Sequence, residues 1–188
     1  PSTGLYIDGG RQSEAIDVEL YDVGIYDVST GIYITGDIRT LVISNITHNN
    51  VSTPILMENA SLYGTPSVLK ADNSIIEVHG KLTVPPESST TIESCIFNMN
   101  DADMEILGDS ELYSVDILGS HSMEHMNITA DGSVMGDNIY MDGIMLMIDG
   151  NGTMDLKAYS VLFLLDLRLY DHAFLHLTDS YIDAYSME

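Results

Sequence analysis

The residues with the most chemical potential fall past the middle of the chain. His121-Ser122-Met123-Glu124-His125 has the order H-x-x-E-H, in which two imidazoles hold a zinc ion and the glutamate works on its water. That chemistry needs a helix, because only a helical turn brings residues four apart onto one face. No helical stripe surrounds the segment. In extended backbone its two histidines stand about 13 Å apart, so a shared metal is not expected.

Asp149-Gly150-Asn151-Gly152-Thr153-Met154-Asp155-Leu156 has the oxygen-rich composition of a calcium loop. Its second Asp falls one place late for the calcium-binding nonapeptide of β-rolls, and the motif occurs once. The twelfth position counted from Asp149 is Ser160, where an EF-hand needs a bidentate Glu. A glycine turn is the expected structure. No cofactor and no defined metal site are expected; divalent cations such as calcium would bind weakly, scattered over an acidic surface. Paired carboxylates can cleave glycans, and Asp101, Asp103, Asp109 and Asp116 are the candidates for such a pair. The cations Arg11, Arg39 and Arg168 are scattered, and no carboxylate pair stands out. Tyr140, Tyr159, Tyr170, Tyr181 and Tyr185 suit either a stacked ladder or a sugar-binding face. No catalytic residue is assigned.

Charge and composition bound the partners. The 188 residues carry 29 acidic and 6 basic side chains, a formal net charge of -23. Nucleic acid is not expected as a partner, because its binding runs on Lys and Arg neutralising phosphates, and anionic membrane surfaces are disfavoured for the same reason. The apolar run at 161–165 is too short to span a bilayer, so no transmembrane segment is expected. The single cysteine, Cys95, excludes an internal disulfide framework and a cysteine zinc site. In an exported chain it leaves an intermolecular bridge or a free thiol, and its neighbours Ile96 and Phe97 suit a buried thiol equally well. Five Asn-x-Ser/Thr sequons, at Asn45, Asn50, Asn59, Asn127 and Asn151, exceed the roughly two that chance would place and point to a glycosylated extracellular or cell-surface protein. The opening Pro1-Ser2-Thr3-Gly4, without an initiator Met or a signal-like stretch, fits a mature exported product. Acidity also suits a high-salt cytosol, but the abundance of Ile, Leu and Met does not.

The elements that must position these residues are announced by a repeat. Residues 101–144 fall into four units of eleven, DADMEILGDSE, LYSVDILGSHS, MEHMNITADGS and VMGDNIYMDGI, with Ile106, Ile117, Ile128 and Ile139 at the sixth place. A period of eleven fits a right-handed coiled coil or a β-solenoid with two units per coil. Composition decides between them. Gly and Asp recur in every unit, and apolar residues alternate, as in Met104-x-Ile106 and Ile144-x-Leu146-x-Ile148; Gly inside a helix would cost about 1 kcal/mol each time. The expected fold is all-β, a single-domain parallel β-solenoid over 1–188 with roughly 22 residues per coil, less regular at 1–100 and built of regular 11-residue units at 101–144. At about 4.8 Å per coil it would be a rod of about 8 or 9 coils and about 40 Å. The four isoleucines should all point inward, on alternately opposite sides of the cross-section.

Strand texture reaches both ends of the sequence, with Leu5 and Ile7 at one end and Tyr181, Ile182 and Tyr185 at the other. Neither end shows a helical cap or a Lys-rich edge, so these residues are expected to form edges that join neighbouring copies by strand addition, the alternative being that capping segments belong to the protein outside this sequence. Repulsion between subunits of this charge then has to be met by bound cations, by outward-facing charge, or by covalent links such as one through Cys95.

The units MEILGDS, VDILGSH and MNITADG resemble those of prokaryotic, especially archaeal, secreted β-solenoid proteins. With the acidity, the sequons and the uncapped ends, the whole chain resembles the sheath and surface-layer proteins of methanogenic archaea. The resemblance implies a structural envelope role: a non-enzymatic protein that polymerises with itself, edge to edge, into a sheath, surface layer or filament. The alternatives are a secreted β-helix polysaccharide hydrolase or lyase and an adhesin-type glycan-binding module.

Overall fold

The computed structural model describes residues 2–10, 16–63, 67–120 and 124–187. In chain order the strands are β1 (Thr3–Asp8), β2 (Ile16–Tyr21), β3 (Gly24–Tyr26), β4 (Thr30–Ser44), β5 (Thr47–Asn49), β6 (Thr53–Leu62), β7 (Val68–Asp72), β8 (Ile75–Val84), β9 (Ser89–Glu93) and β10 (Ile96–Ile106). They continue as β11 (Asp109–Tyr113), β12 (Asp116–Gly119), β13 (His125–Ile128), β14 (Ser133–Asp137), β15 (Tyr140–Ile148), β16 (Thr153–Lys157), β17 (Val161–Leu169), β18 (Phe174–Leu177) and β19 (Tyr181–Ala184). Among the described residues there is no helix, and every strand pairing is parallel. The chain is a β-solenoid of about 8 turns with about 21 residues per turn.

Each coil has three flanks. On the first, Leu5, Ile32, Ile55, Ile76, Phe97, Ile117, Met141, Leu162 and Ile182 stack in one column. The second carries Val84, Ile106, Ile128, Ile148 and Leu169, and the third Val18, Leu41, Leu69, Thr90, Ser110, Val134, Met154 and Leu175. The columns meet in one hydrophobic core along the rod. Strands β3 and β5 form a small separate sheet on the first two coils.

Three kinds of corner make the turns, and each has its own residue chemistry. Between the first and second flanks the strand bends without breaking, through a one-residue bulge. Gly36, Asn59, Gly80, Asp101 and Gly143 hold positive φ there, and the ladders slip at the same places. This is why β4, β6, β8 and β10 run for 10 to 15 residues. Between the second and third flanks only small residues fit. Ser67, Ser88, Gly108, Gly132 and Gly152 stack, each carbonyl accepting the next coil's N–H, and a Cβ on Gly132 would lie 2.3 Å from the Ile106 carbonyl oxygen. Between the third and first flanks Asn45, Asn73, Ser94, Ser114 and Asn138 adopt the left-handed conformation that Asn tolerates best. The next residue then turns inward, giving the buried column Ser74, Cys95, Val115, Ile139 and Ser160.

All four repeat isoleucines are buried, but they do not alternate between two sides. Ile106 and Ile128 share the second flank and Ile117 lies on the first. Ile139 sits at a corner, where its carbonyl accepts the Val161 N–H, and it is Met141 that stacks on Ile117. The eleven-residue beat is the spacing between first-flank and second-flank residues; the third flank is hidden inside alternate units.

Candidate functional site

Among the described residues, β1 and β2 at the N-terminal rim pair only with β4, and at the C-terminal rim β18 pairs only with β16 and β19 only with β17, while Met187 makes one bridge to Leu167. The other edge of each rim strand carries backbone donors and acceptors without a strand partner among the described residues. Burial shows the same incompleteness. Met154, Leu156 and Leu162 are fully buried, whereas Leu175, Leu177 and Ile182, one coil further out, are only partly covered. Ile16, Val18 and Leu20 are their counterparts at the other end.

The predicted edge residues divide accordingly. Leu5 is 40% exposed, Tyr181 54% and Tyr185 94%, whereas Ile7 points into the core at 8%. Aromatic rings cluster near both rims on the outside of the first flank: Tyr6 stacks on Tyr33 at 5.2 Å, and Phe163 bridges Tyr140 and Tyr181 at 6.0 Å each. Carboxylates on the rim strands are Asp8 on β1, Asp17 and Glu19 on β2 and Asp183 on β19, with none on β18. On β2, Asp17 is held by Arg39, whose Nε donates to Oδ1 at 2.9 Å, and its carboxyl sits at about 2 because of that bond. Val18, Leu20, Leu175 and Leu177 belong to the same rims without being among the expected edge residues, although the alternations Ile16-x-Val18-x-Leu20 and Leu175-x-Leu177 are visible in the sequence.

No protein-family model, curated protein or solved structure matches this chain. Its surfaces are therefore the ground for any functional reading.

The remaining candidates do not converge. Glu124 is fully buried at a bulge corner, with Ser120 donating to its carboxylate. His125 lies on the outside of β13, Nδ1 2.8 Å from Asp103 Oδ1. The zinc-peptidase pattern is thus split between inside and outside, and His121 lies outside the described residues. Asp149 Oδ1 accepts the Gly150 N–H at 2.7 Å in a turn, while Asp155 faces Lys157 and His176 on the third flank, so the glycine-rich segment is a corner. Asp103 is on the second flank, Asp109 on the third and Asp116 on the first, with Asp101 at a bulge. Among the described residues no three His, Cys, Asp or Glu side chains are grouped to hold a metal, and no helix is long and apolar enough to cross a membrane.

Cys95 is 1% exposed, its Sγ 3.3 Å from the Glu93 carbonyl, and burial pushes its thiol up to about 11. The folded coil therefore withholds it from a neighbouring chain, and the expected intermolecular bridge would require that corner to open. Asn45, Asn50, Asn59 and Asn151 are exposed at corners or bends, and Asn127 is half-buried on β13. Three of the exposed side chains reach across to the previous coil: Asn45 Nδ2 donates to Asp22 at 2.6 Å, Asn50 to Asp27 at 2.9 Å and Asn151 to Asp131 at 2.9 Å.

Proposed function

We propose that this chain is a structural subunit of an extracellular cell-envelope layer, sheath or filament, its copies joined rim to rim by strand addition. The observation that carries this reading is the pair of incomplete rims, where unpaired strand edges coincide with partly covered core columns. A second copy placed there supplies both the missing ladder and the missing apolar contacts. Charge works against close approach, since the rim strands carry Asp8, Asp17, Glu19 and Asp183, but Asp17 is already paired with Arg39 and the remaining repulsion is screened within about 8–10 Å at ordinary salt. Glycans on Asn45, Asn50, Asn59 and Asn151 would project sideways and leave the rims clear.

Electron microscopy of the native protein tests the proposal. Subunits joined end to end should give rods, rings or sheets with an axial repeat of about 40 Å. Discrete single solenoids at all concentrations would refute it. Intact-mass measurement on the native protein tests the surface assignment, which predicts added sugar on the sequons.

A further inference from the structure

The outer surface of the second flank carries a groove of about 380 Å³, within the range of small-ligand sites. Register fixes its layout. Asp103, His125, Met145 and Asp166 follow one another coil by coil, as do Glu105, Asn127, Met147 and Arg168. Met145 and Met147 therefore form a floor one coil wide. His125 and Asn127, with Asp103 behind them, make one wall; Asp166 and Arg168 make the other. The walls stand two coil spacings apart, about 10 Å, the width of a single extended chain.

The chemistry of the walls is amphoteric. Asp103 accepts from His125 Nδ1 at 2.8 Å, which orients the ring, and Arg168 Nε donates to Asp166 Oδ2 at 2.7 Å. Asn127 Oδ1 and Asp166 Oδ1 are buried beneath these walls without a hydrogen-bond partner, so the groups that face the groove are the Asp103 and Asp166 carboxylates, the His125 ring and the Arg168 guanidinium. A polyanion is disfavoured by Asp103, Asp166 and the net charge of -23. A polycation would meet Arg168 and His125. A sugar ring matches both walls at once: its hydroxyls donate to the Asp103 and Asp166 carboxylates and accept from His125 and Arg168, and its C–H face rests on the Met145 and Met147 thioethers.

We propose that this groove binds a neutral oligosaccharide lying across the second flank. The groove is complete within one chain, but Asp166 and Arg168 lie on the outermost strand of the second flank, so a copy docked at the C-terminal rim would border it.

The test is titration of the full-length native chain, followed by NMR or calorimetry, with β-1,4- and α-1,4-linked glucose hexasaccharides and with a galacturonate hexasaccharide as the charged probe. At least one neutral hexasaccharide should saturate one site per chain with a Kd of about 1 mM or tighter. His125→Ala and Met147→Asp should each weaken it about tenfold or more with an unchanged melting temperature, and Met135→Ala, on the third flank, should leave it unchanged. The assignment is overturned if neither neutral probe binds, if the galacturonate binds more tightly, or if both groove variants bind as the parent does.

Discussion

Thr90 offers a sharp test of how the core is built. Its side chain points inward on the third flank, stacked between Leu69 and Ser110, and is 3% exposed. Its hydroxyl and that of Ser110 are buried without a hydrogen-bond partner. The void beside them, walled by Leu82, Phe97, Ile106 and Ile117, is about 10 Å³, the lower bound for one water. An unmatched buried hydroxyl costs about 1–3 kcal/mol, and valine replaces threonine at nearly equal volume without it. Thr90→Val should therefore stabilise the fold by about 1–2 kcal/mol, a rise in melting temperature of about 2–8 °C for a chain this size. Ser110→Ala should act in the same direction by less, because it leaves the residual space unfilled. Calorimetry or circular dichroism melts at neutral pH decide it. A lower melting temperature for Thr90→Val would show that the hydroxyl is satisfied in the fold, and the reasoning would fail.

Three further perturbations follow from the corners and the buried groups. Gly132→Ala pushes a methyl against the Ile106 carbonyl and should destabilise by about 3 kcal/mol, whereas the methyl of Gly24→Ala meets only the movable Tyr26 ring and should cost under about 1 kcal/mol; equal melting temperatures would contradict this. Glu77 is raised by burial but lowered more by hydrogen bonds from His79, Thr53 and Asn100 and by the His79 charge, so its carboxyl sits below the ordinary value. Its stabilisation is present above the ordinary carboxylate range, near about 4.3, and is lost as pH falls through the folded value; Glu77→Gln should be less stable than the parent at pH 7, and the gap should close in acid. Finally, a thiol reagent should leave Cys95 unmodified in the native protein and label it after unfolding; rapid native labelling would place the sulfur at the surface.

Much of the fold is legible in the sequence because inward residues stack on their own kind. Ile106 and Ile128 occupy one column 22 residues apart, and such a column leaves a regular apolar beat. The third flank was not legible, since its inward positions mix chemistries: Thr90, Ser110 and Val134 share one column, and Leu112 and Gly136 another. Ile139 left the beat because the left-handed Asn138 turns it into the corner, an effect of conformation without any change of residue type. The groove on the second flank depends on register, and the coil length drifts: Phe97 lies on Ile117, 20 residues on, and Ile117 on Met141, 24 residues on. Small slips of that kind decide which side chains become neighbours. The rims were legible only as strand texture running to both ends; partial burial of Leu175 and Val18 required coordinates.

Hydrogen–deuterium exchange at rising protein concentration tests the assembly claim most directly, because it reads the rim amides themselves. If copies join rim to rim, exchange in β1, β2, β18 and β19 should slow as concentration rises, while β8 and β10, paired on both sides at any concentration, stay unchanged. Rim strands that exchange at the same rate in dilute and concentrated samples would contradict the account.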